Sequence, residues 1–264
     1  MNPGLSALGV KRVVVKVGSA VLTQDGSLAL ARMQSLVRFL VKLKKNSEVI
    51  LVSSGAVSAG FTKLQLDRTV IKNKQALAAI GQPIVMKQYA REFNVHNTTS
   101  AQVLVTSVNL NHEDDIQRIK NTIDTLLEND VIPIVNENDA TSTSELEVGD
   151  NDQLSAYIAK YTDSDLLIIL SDIDAYYTSD PRVDKDAKVL KVVNEIAKEE
   201  LDKIPTPNNV FATGGIVTKL KAAQYLLDVD KEMFFASGFN LDDVRSYMLD
   251  SLHVGGTLFT NKGK

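Results

Sequence analysis

The chain has 264 residues, of which 44% are hydrophobic and 23% are charged, with a formal net charge of −4 and a pI near 5.5. This composition is that of a globular protein, and the acidic balance excludes a sequence-independent nucleic-acid binder, which needs a basic face. The absence of cysteine excludes disulfides and thiolate metal sites.

The sequence also gives no sign of a membrane segment or of a metal held by the protein. The longest apolar runs, such as 166–170, are too short to span a bilayer, and the N-terminus lacks the pattern of a secretory signal. We therefore expect a cytoplasmic protein. His96, His112 and His253 are far apart in sequence and have no metal-ligand spacing, so no metal site is predicted from them. A cluster of these histidines formed by the fold stays open as an alternative.

Along the chain, short β-branched runs alternate with longer stretches of helical hydrophobic spacing. Strands are predicted at 12–18, 48–55, 101–105, 131–139, 165–172, 232–238 and around 256–260. Helices are predicted at 28–45, 74–93 with an interruption at Gly81 and Pro83, 115–129, 152–161, 215–227 and 241–249. This alternation predicts one α/β domain over 1–264, a three-layer αβα sandwich with a mostly parallel open sheet.

Polar residues cluster where the predicted strands end. The first strand is followed by KVGS (16–19), the second by SSG (53–55), the fourth by NENDA (136–140) and the fifth by Ser171–Asp172. Because ligands of open parallel sheets bind at the carboxyl ends of the strands, we expect a binding site at this edge.

Lys16 lies in the apolar run VVVKVG, where a lysine buried without a counter-charge costs free energy. Two interpretations follow from the residues alone. Either the strand lies at the sheet edge and Lys16 points to water, or its ammonium group reaches a phosphate at the end of the strand.

The stretch VGDNDQLSA (148–156) places Asp150 and Asp152 around Asn151 directly before a helical pattern. Aspartate and asparagine are favoured at helix N-termini, where their charge suits the helix dipole, so capping is one interpretation. The other is a role in the binding site. Asp150 stays undecided between substrate positioning and a helix cap.

ATGGIVTK (212–219) combines two glycines, a helix start and a lysine in the first turn. Glycine lets backbone N–H groups approach a phosphate, and a helix N-terminus favours an anion. A turn with a solvated lysine is the alternative. Neither GxxxxGK[ST] nor GxGxxG occurs, so a nicotinamide dehydrogenase is not expected.

The motifs KVGS, SSGAVSAG, NENDA, GDNDQLSA, SDIDAYYTSDPR and ATGGIVTK occur in this order. With them, the chain closely resembles the amino-acid kinase family over about 13–260, and within it the kinases that phosphorylate glutamate. The resemblance implies the amino-acid kinase fold, with a glutamate-binding part at about 1–165 and a nucleotide-binding part at about 166–264. It implies transfer of a phosphoryl group from ATP to the side-chain carboxylate of L-glutamate. The product would be L-glutamyl 5-phosphate, formed in the first step of proline biosynthesis from glutamate.

The resemblance also implies which residues form the site. Lys16, Lys219 and Asp152 would be catalytic, with the lysines at the ATP phosphates and Asp152 orienting them. Glutamate would be held by Ser54, Asp139 and Asn151. ATP would be bound by Lys16, Ser171, Asp172, Thr213, Gly214, Gly215, Ile216, Val217, Thr218 and Lys219.

Further expectations from the resemblance are Mg²⁺ with ATP, feedback inhibition by proline, and a homo-oligomer, a dimer or a tetramer. Whether Mg²⁺ has a direct protein ligand stays open. Many relatives add a C-terminal domain resembling RNA-binding modules, which we do not expect here. Ala212 and Ala175–Tyr176 depart from the family pattern, which leaves the nucleotide base preference open. Two other functions stay open: a kinase of this fold for aspartate, N-acetylglutamate or UMP, and a non-catalytic amino-acid sensor.

Overall fold

The computed structural model describes residues 8–24, 26–141, 151–202 and 215–262. The strands are β1 (Arg12–Val17), β2 (Thr23–Gln24), β3 (Ser27–Leu28), β4 (Glu48–Ser53), β5 (Ser100–Val105), β6 (Ile132–Glu137), β7 (Leu166–Ser171), β8 (Val192–Val193), β9 (Glu232–Ser237) and β10 (Thr257–Phe259). The helices are α1 (Ser19–Leu22), α2 (Leu30–Leu43), α3 (Ala56–Phe61), α4 (Ile71–Asn94), α5 (Glu113–Glu128), α6 (Asn151–Tyr161), α7 (Lys198–Leu201), α8 (Ile216–Leu227) and α9 (Asp242–Asp250). Within the described ranges, no helix is both long enough and apolar enough to cross a bilayer.

Eight of the strands form one sheet in the order β5-β6-β4-β1-β7-β9-β10-β8. The pairs in this sheet are parallel except for β10 against β9. Strand β1 is central and places Lys16 beside Val52 of β4 and Ile169 of β7. The predicted α/β fold with a mostly parallel open sheet is confirmed.

The two faces of the sheet each carry a hydrophobic core, because side chains of a strand alternate between faces. Val13, Val15 and Val17 pack into one core with residues of α2, α4 and α9. Val14 packs into the other core with residues of α5, α6 and α8. Each fully buried valine, leucine or phenylalanine contributes about 1.5–3 kcal/mol relative to exposure. The predicted three-layer sandwich is therefore confirmed, and Lys16 shares the face of Val14.

The connections that follow β1 and β7 leave to opposite faces of the sheet. After β1 the chain continues to α2 on one face, whereas the next long helix after β7 is α8 on the opposite face. Neighbouring strands whose connections leave to opposite faces are where ligands bind in open α/β sheets.

Helix α4 runs without a break through Gly81 and Pro83, so the predicted interruption is wrong. A Cβ at Gly81 would lie 1.7 Å from the carbonyl oxygen of Ala56, and one at Gly60 would lie 1.9 Å from that of Leu77. Helices α3 and α4 therefore approach so closely that glycine is needed at both positions. These glycines serve helix packing, which a reading of the local sequence does not reveal.

Candidate active site

Three buried charged side chains meet at the carboxyl ends of the central strands. Lys16 Nζ forms an ion pair with Asp152 Oδ1, and Lys219 Nζ donates to Asp152 Oδ2 at 3.0 Å. The exposed fractions of the three residues are 4%, 0% and 3% for Lys16, Asp152 and Lys219. We call these residues the lysine–aspartate cluster. Since β1 is central and Lys16 is buried, the edge-strand interpretation of Lys16 is wrong.

The first turns of two helices hold this cluster in place. Asp152 lies in the first turn of α6, and Lys219 lies in the first turn of α8. Lys219 Nζ also donates to the Gly215 carbonyl at 3.3 Å. Thr218 Oγ1 lies 2.9 Å from both Asp152 Oδ2 and Gly215 O, and its single proton serves one of these acceptors at a time. Asp152 is therefore a buried partner of two lysines, and helix capping alone does not describe it.

The electrostatics of the cluster favour an ionised Asp152. Burial by itself would raise the pKa of Asp152, but the charges and hydrogen bonds of Lys16 and Lys219 outweigh it and hold the pKa well below its usual range. Counted over these three described side chains, two ammonium groups and one carboxylate carry a net charge of +1 in a low-dielectric surrounding, where charge interactions are strong. The arrangement is suited to an incoming anion.

A second, largely neutral group of side chains adjoins the end of β4. Asn151 Nδ2 donates to Ser54 Oγ at 2.7 Å and lies 3.3 Å from the Ser53 carbonyl. The same nitrogen lies 2.9 Å from Asn136 Oδ1, and Asn136 Nδ2 donates to Gln82 Oε1 at 2.9 Å. The structure thus brings together Ser54 and Asn151, both singled out in the sequence, although they are 97 positions apart.

Asp139 follows β6 and has an unusual acidity. Burial, and secondarily the charge of Glu137, raise the pKa of Asp139 to about 7, while Lys74 acts in the opposite direction. A carboxyl group with this pKa is poised to lose its proton when a cation approaches. Asp139 is therefore suited to receive an ammonium group of a ligand.

Apart from Lys16 on β1, the predicted nucleotide residues that the structure describes lie at the end of β7 and at the start of α8. Ser171 ends β7, and its Oγ donates to Asp172 Oδ1 at 2.9 Å. Gly215 precedes α8 as its N-cap, and residues 216–219 form the first turn. Thr213 and Gly214 lie outside the described residues, as does Asp150.

The structure adds two residues that sequence reasoning did not assign. Asn136 lies within the quoted NENDA motif, and an asparagine at the end of the apolar run VIPIV is a signal that could have identified it. Gln82 has no comparable signal, because its contact with Asn136 joins positions 54 residues apart on a helix and a strand.

A family model and several curated relatives match this chain over most of its length. Residues 11–236 match the family described as the amino acid kinase family. A Wolinella succinogenes protein named glutamate 5-kinase is 48% identical over 260 residues, which cover 97% of this chain and 100% of that protein. A Leishmania donovani protein of the same name is 47% identical over 96% of both chains. One from Helicobacter hepaticus is 42% identical over 94% of both.

Solved structures share the architecture at low sequence identity. An isopentenyl phosphate kinase from T. acidophilum has a TM-score of 0.65 and 13% identity, covering 94% of this chain and 100% of its own. A UMP kinase from Ureaplasma parvum has a TM-score of 0.63 and 16% identity, covering 95% and 99%. At these identities the likeness concerns the fold alone.

Proposed function

The chain belongs to the amino acid kinase family and, within it, to the glutamate 5-kinases, and from this premise we propose how its site works. The chain transfers the γ-phosphoryl group of ATP to the side-chain carboxylate of L-glutamate. The product is L-glutamyl 5-phosphate, the first intermediate of proline biosynthesis from glutamate. The observation that supports this chemistry best is the pairing of Lys16 and Lys219 on one buried Asp152.

The nucleophile of this reaction is a carboxylate with a pKa of about 4.3, which is already ionised at neutral pH. No proton has to be removed, so the site needs no general base. The difficulty is electrostatic, because an anion attacks the terminal phosphate of a polyanion. Phosphoryl transfer is catalysed mainly by positioning and by neutralising charge.

In our proposal the lysine–aspartate cluster supplies this neutralisation. Lys16 and Lys219 direct their ammonium groups at the transferring phosphoryl, and Asp152 fixes both without contacting the substrate. The excess positive charge of the cluster is present before ATP binds. Charge stabilisation is most effective when it is organised in advance, because no reorganisation is then needed during the reaction.

The glutamate side of the site consists of Ser54, Asn151 and Asp139 in this proposal. Asp139 receives the α-ammonium group, which lowers the pKa of its carboxyl and completes its ionisation. Asn151 and Ser54 are neutral, so they can contact a substrate that carries two carboxylates without repelling it. These residues fall in the part that we assign to glutamate, about 1–165.

ATP lies on the other side, in the part that we assign to the nucleotide, about 166–264. The loop 213–219, with Ser171 and Asp172, would hold its phosphates. Among the described residues no group of three histidine or acidic side chains is placed to hold a metal ion. We propose that Mg²⁺ arrives on the ATP phosphates, since Mg²⁺ at nucleotide sites keeps waters and substrate oxygens as ligands.

We extend the proposal to the cytoplasm as its location, to inhibition by proline and to a homo-oligomer. All three rest on the resemblance to glutamate 5-kinases. Size-exclusion chromatography with light scattering tests the oligomer. Titration of proline into the kinase assay tests the inhibition.

The decisive test of the reaction is ADP release with a panel of acceptors: L-glutamate, L-aspartate, N-acetylglutamate and UMP. We expect turnover with L-glutamate in preference to the others. Turnover with another acceptor and none with glutamate would overturn the substrate assignment. If glutamate binds in calorimetry but no acceptor releases ADP, the chain is a sensor and the proposal is wrong.

A further inference from the structure

A chain of three side-chain amides connects the proposed glutamate site to helix α4. Asn151 Nδ2 faces the Ser53 carbonyl and Asn136 Oδ1, and Asn136 Nδ2 faces Gln82 Oε1, the last two contacts being 2.9 Å each. Asn136 is only 2% exposed, so its amide cannot exchange these partners for bulk water. We call Asn151, Asn136 and Gln82 the amide relay.

The amides of the relay hold one another's orientation, because each contact pairs a nitrogen with an oxygen. Asn151 Nδ2 has two protons, and its nearest acceptors are Ser54 Oγ at 2.7 Å and Asn136 Oδ1 at 2.9 Å, ahead of the Ser53 carbonyl at 3.3 Å. Asn136 must then present its oxygen to that nitrogen and its own nitrogen to Gln82. Gln82 in turn must present its oxygen. Turning any one amide over would place two donors or two acceptors against each other.

The relay leaves one atom of Asn151 for a ligand. Asn151 Oδ1 is buried and accepts no hydrogen bond from the described part of the chain. An amide oxygen can only accept, and the hydrogen-bond donor that glutamate carries at neutral pH is its α-ammonium group. The relay thus presents an acceptor to the same group that we assign to Asp139.

Close packing of helices α3 and α4 places Gln82 next to Asn136. Gly81, next to Gln82 in the chain, lies against the backbone of Ala56, where a Cβ would be only 1.7 Å from the carbonyl oxygen. Ala56 begins α3, directly after the Ser53–Gly55 segment that contacts Asn151. The glycine contact therefore fixes α4 relative to this segment.

We propose that Gln82 is a positioning residue for glutamate: through Asn136 it holds the amide of Asn151 with Oδ1 toward the α-ammonium group. This inference rests on the proposed assignment of Asn151 to glutamate. It predicts that Gln82 affects glutamate binding without contacting ATP or the reacting atoms.

The first experiment replaces Gln82 by methionine, which has a similar length but cannot accept the hydrogen bond. We expect Gln82→Met to raise the KM for glutamate about 3- to 10-fold, the effect of one lost hydrogen bond. The kcat and the KM for ATP should stay within about twofold. Gln82→Ala deletes the same acceptor without bulk and should give the same pattern if methionine packs poorly.

Gln88→Met is the matched control. Gln88 lies on the same helix and is half-buried, and its Nε2 donates to Glu92 Oε1 at 2.5 Å. A loss of glutamine from α4 that acted only through helix stability would raise the glutamate KM in both variants. An equal rise in Gln88→Met would therefore overturn the inference.

A double variant tests whether Gln82 acts through Asn136. On an Asn136→Ala background, Gln82→Met should change the glutamate KM by less than about twofold, because the shared interaction is already lost. If Gln82→Met raises the glutamate KM on this background as much as it does in the parent, Gln82 does not act through Asn136 and the inference is wrong.

Asn151→Ala separates failure of the inference from failure of the proposed function. If Asn151→Ala raises the KM for ATP and leaves that for glutamate unchanged, the glutamate assignment itself is wrong. If Asn151→Ala raises the glutamate KM while Gln82→Met does not, the site assignment stands and the role of Gln82 is wrong.

Discussion

The two sides of the site differ in how their charges are balanced. In the lysine–aspartate cluster, Lys16 and Lys219 are both paired with Asp152 and all three are buried. On the side that we assign to glutamate, Asp139 carries a carboxyl group whose pKa is raised to about 7. There, Asn151 Oδ1 has no hydrogen-bond partner among the described residues.

This difference predicts that substitutions on the two sides of the site have different effects. In the lysine–aspartate cluster the buried charges are paired with one another by residues of the chain itself, so substitutions there should affect both folding and turnover. On the side that we assign to glutamate, Asp139 and Asn151 Oδ1 would receive a cation and a hydrogen-bond donor from the substrate. Substitutions there should therefore affect glutamate affinity with little effect on folding. The following predictions are ordered from the largest expected change in free energy to the smallest.

Asp152→Asn removes the negative charge and leaves two lysines buried together. We expect the free energy of unfolding in urea to fall by about 3–5 kcal/mol, the usual cost of breaking a buried ion pair. Asp228→Asn is the control, because Asp228 is exposed at the end of α8 and should change stability by no more than about 0.5 kcal/mol. A loss below about 1 kcal/mol in Asp152→Asn would contradict the ionic description.

The same carboxylate has a defined pH signature. Because the folded-state pKa of Asp152 lies below the unfolded value near 3.8, its contribution to stability is fully present above that value. The contribution is lost as the pH falls toward the folded pKa. The stability difference between the parent and Asp152→Asn should therefore shrink below about pH 4 and stay constant from about pH 5 to 8.

Lys16→Ala and Lys219→Ala should each lower kcat by at least ~100-fold, since each removes a charge partner of the transition state. The KM for glutamate should change little. Lys221→Ala, an exposed position on the same helix as Lys219, should keep the parental turnover. Activity within a few-fold of the parent in either cluster variant would exclude the role that we propose.

Asp139→Ala should affect glutamate binding, in contrast to the substitutions in the lysine–aspartate cluster. We expect the KM for glutamate to rise about 10- to 100-fold, as for loss of a charged hydrogen-bond partner. The KM for ATP and the urea stability should stay close to the parental values. An effect on the KM for ATP alone would show that Asp139 does not belong to the glutamate side.

The pKa of Asp139 predicts a pH dependence of glutamate binding. With a pKa of about 7, the ionised fraction falls as the pH falls from 8 to 6, so the affinity for an ammonium group falls with it. We expect the KM for glutamate to rise about 5- to 10-fold over this range. Asp139→Asn should show a flat profile, and a flat profile in the parent would contradict the raised pKa.

Much of the fold follows from local sequence patterns. The long strands and helices have strong periodicity, and their predicted ends agree with the structure to within a few residues. The short helices α1, α3 and α7, strand β8 and the β2–β3 hairpin were not predicted. Helices of four to six residues span fewer than two turns, and strands of two residues show no alternation, so neither gives a measurable period. The predicted break in α4 is wrong because the sequence does not show that Gly81 meets a backbone carbonyl of α3.

The candidate site also contains residues that the sequence could predict and residues that it could not. Lys16 and Lys219 lie in motifs whose residue types point to phosphate binding, whereas the role of Asp152 came from the family resemblance. The structure brings the three side chains together. The Asn136–Gln82 contact could not be predicted, because amides have no charge and occur widely on helices and strands. Only the packing of α4 against the sheet brings these two amides within hydrogen-bond distance.

A crystal structure with L-glutamate and a non-hydrolysable ATP analogue tests the central claim most directly. We expect the Nζ atoms of Lys16 and Lys219 both to lie about 3 Å from oxygens of the terminal phosphate, with Asp152 still paired to each. A complex in which either nitrogen faces away from the phosphate would contradict the proposed role of the cluster.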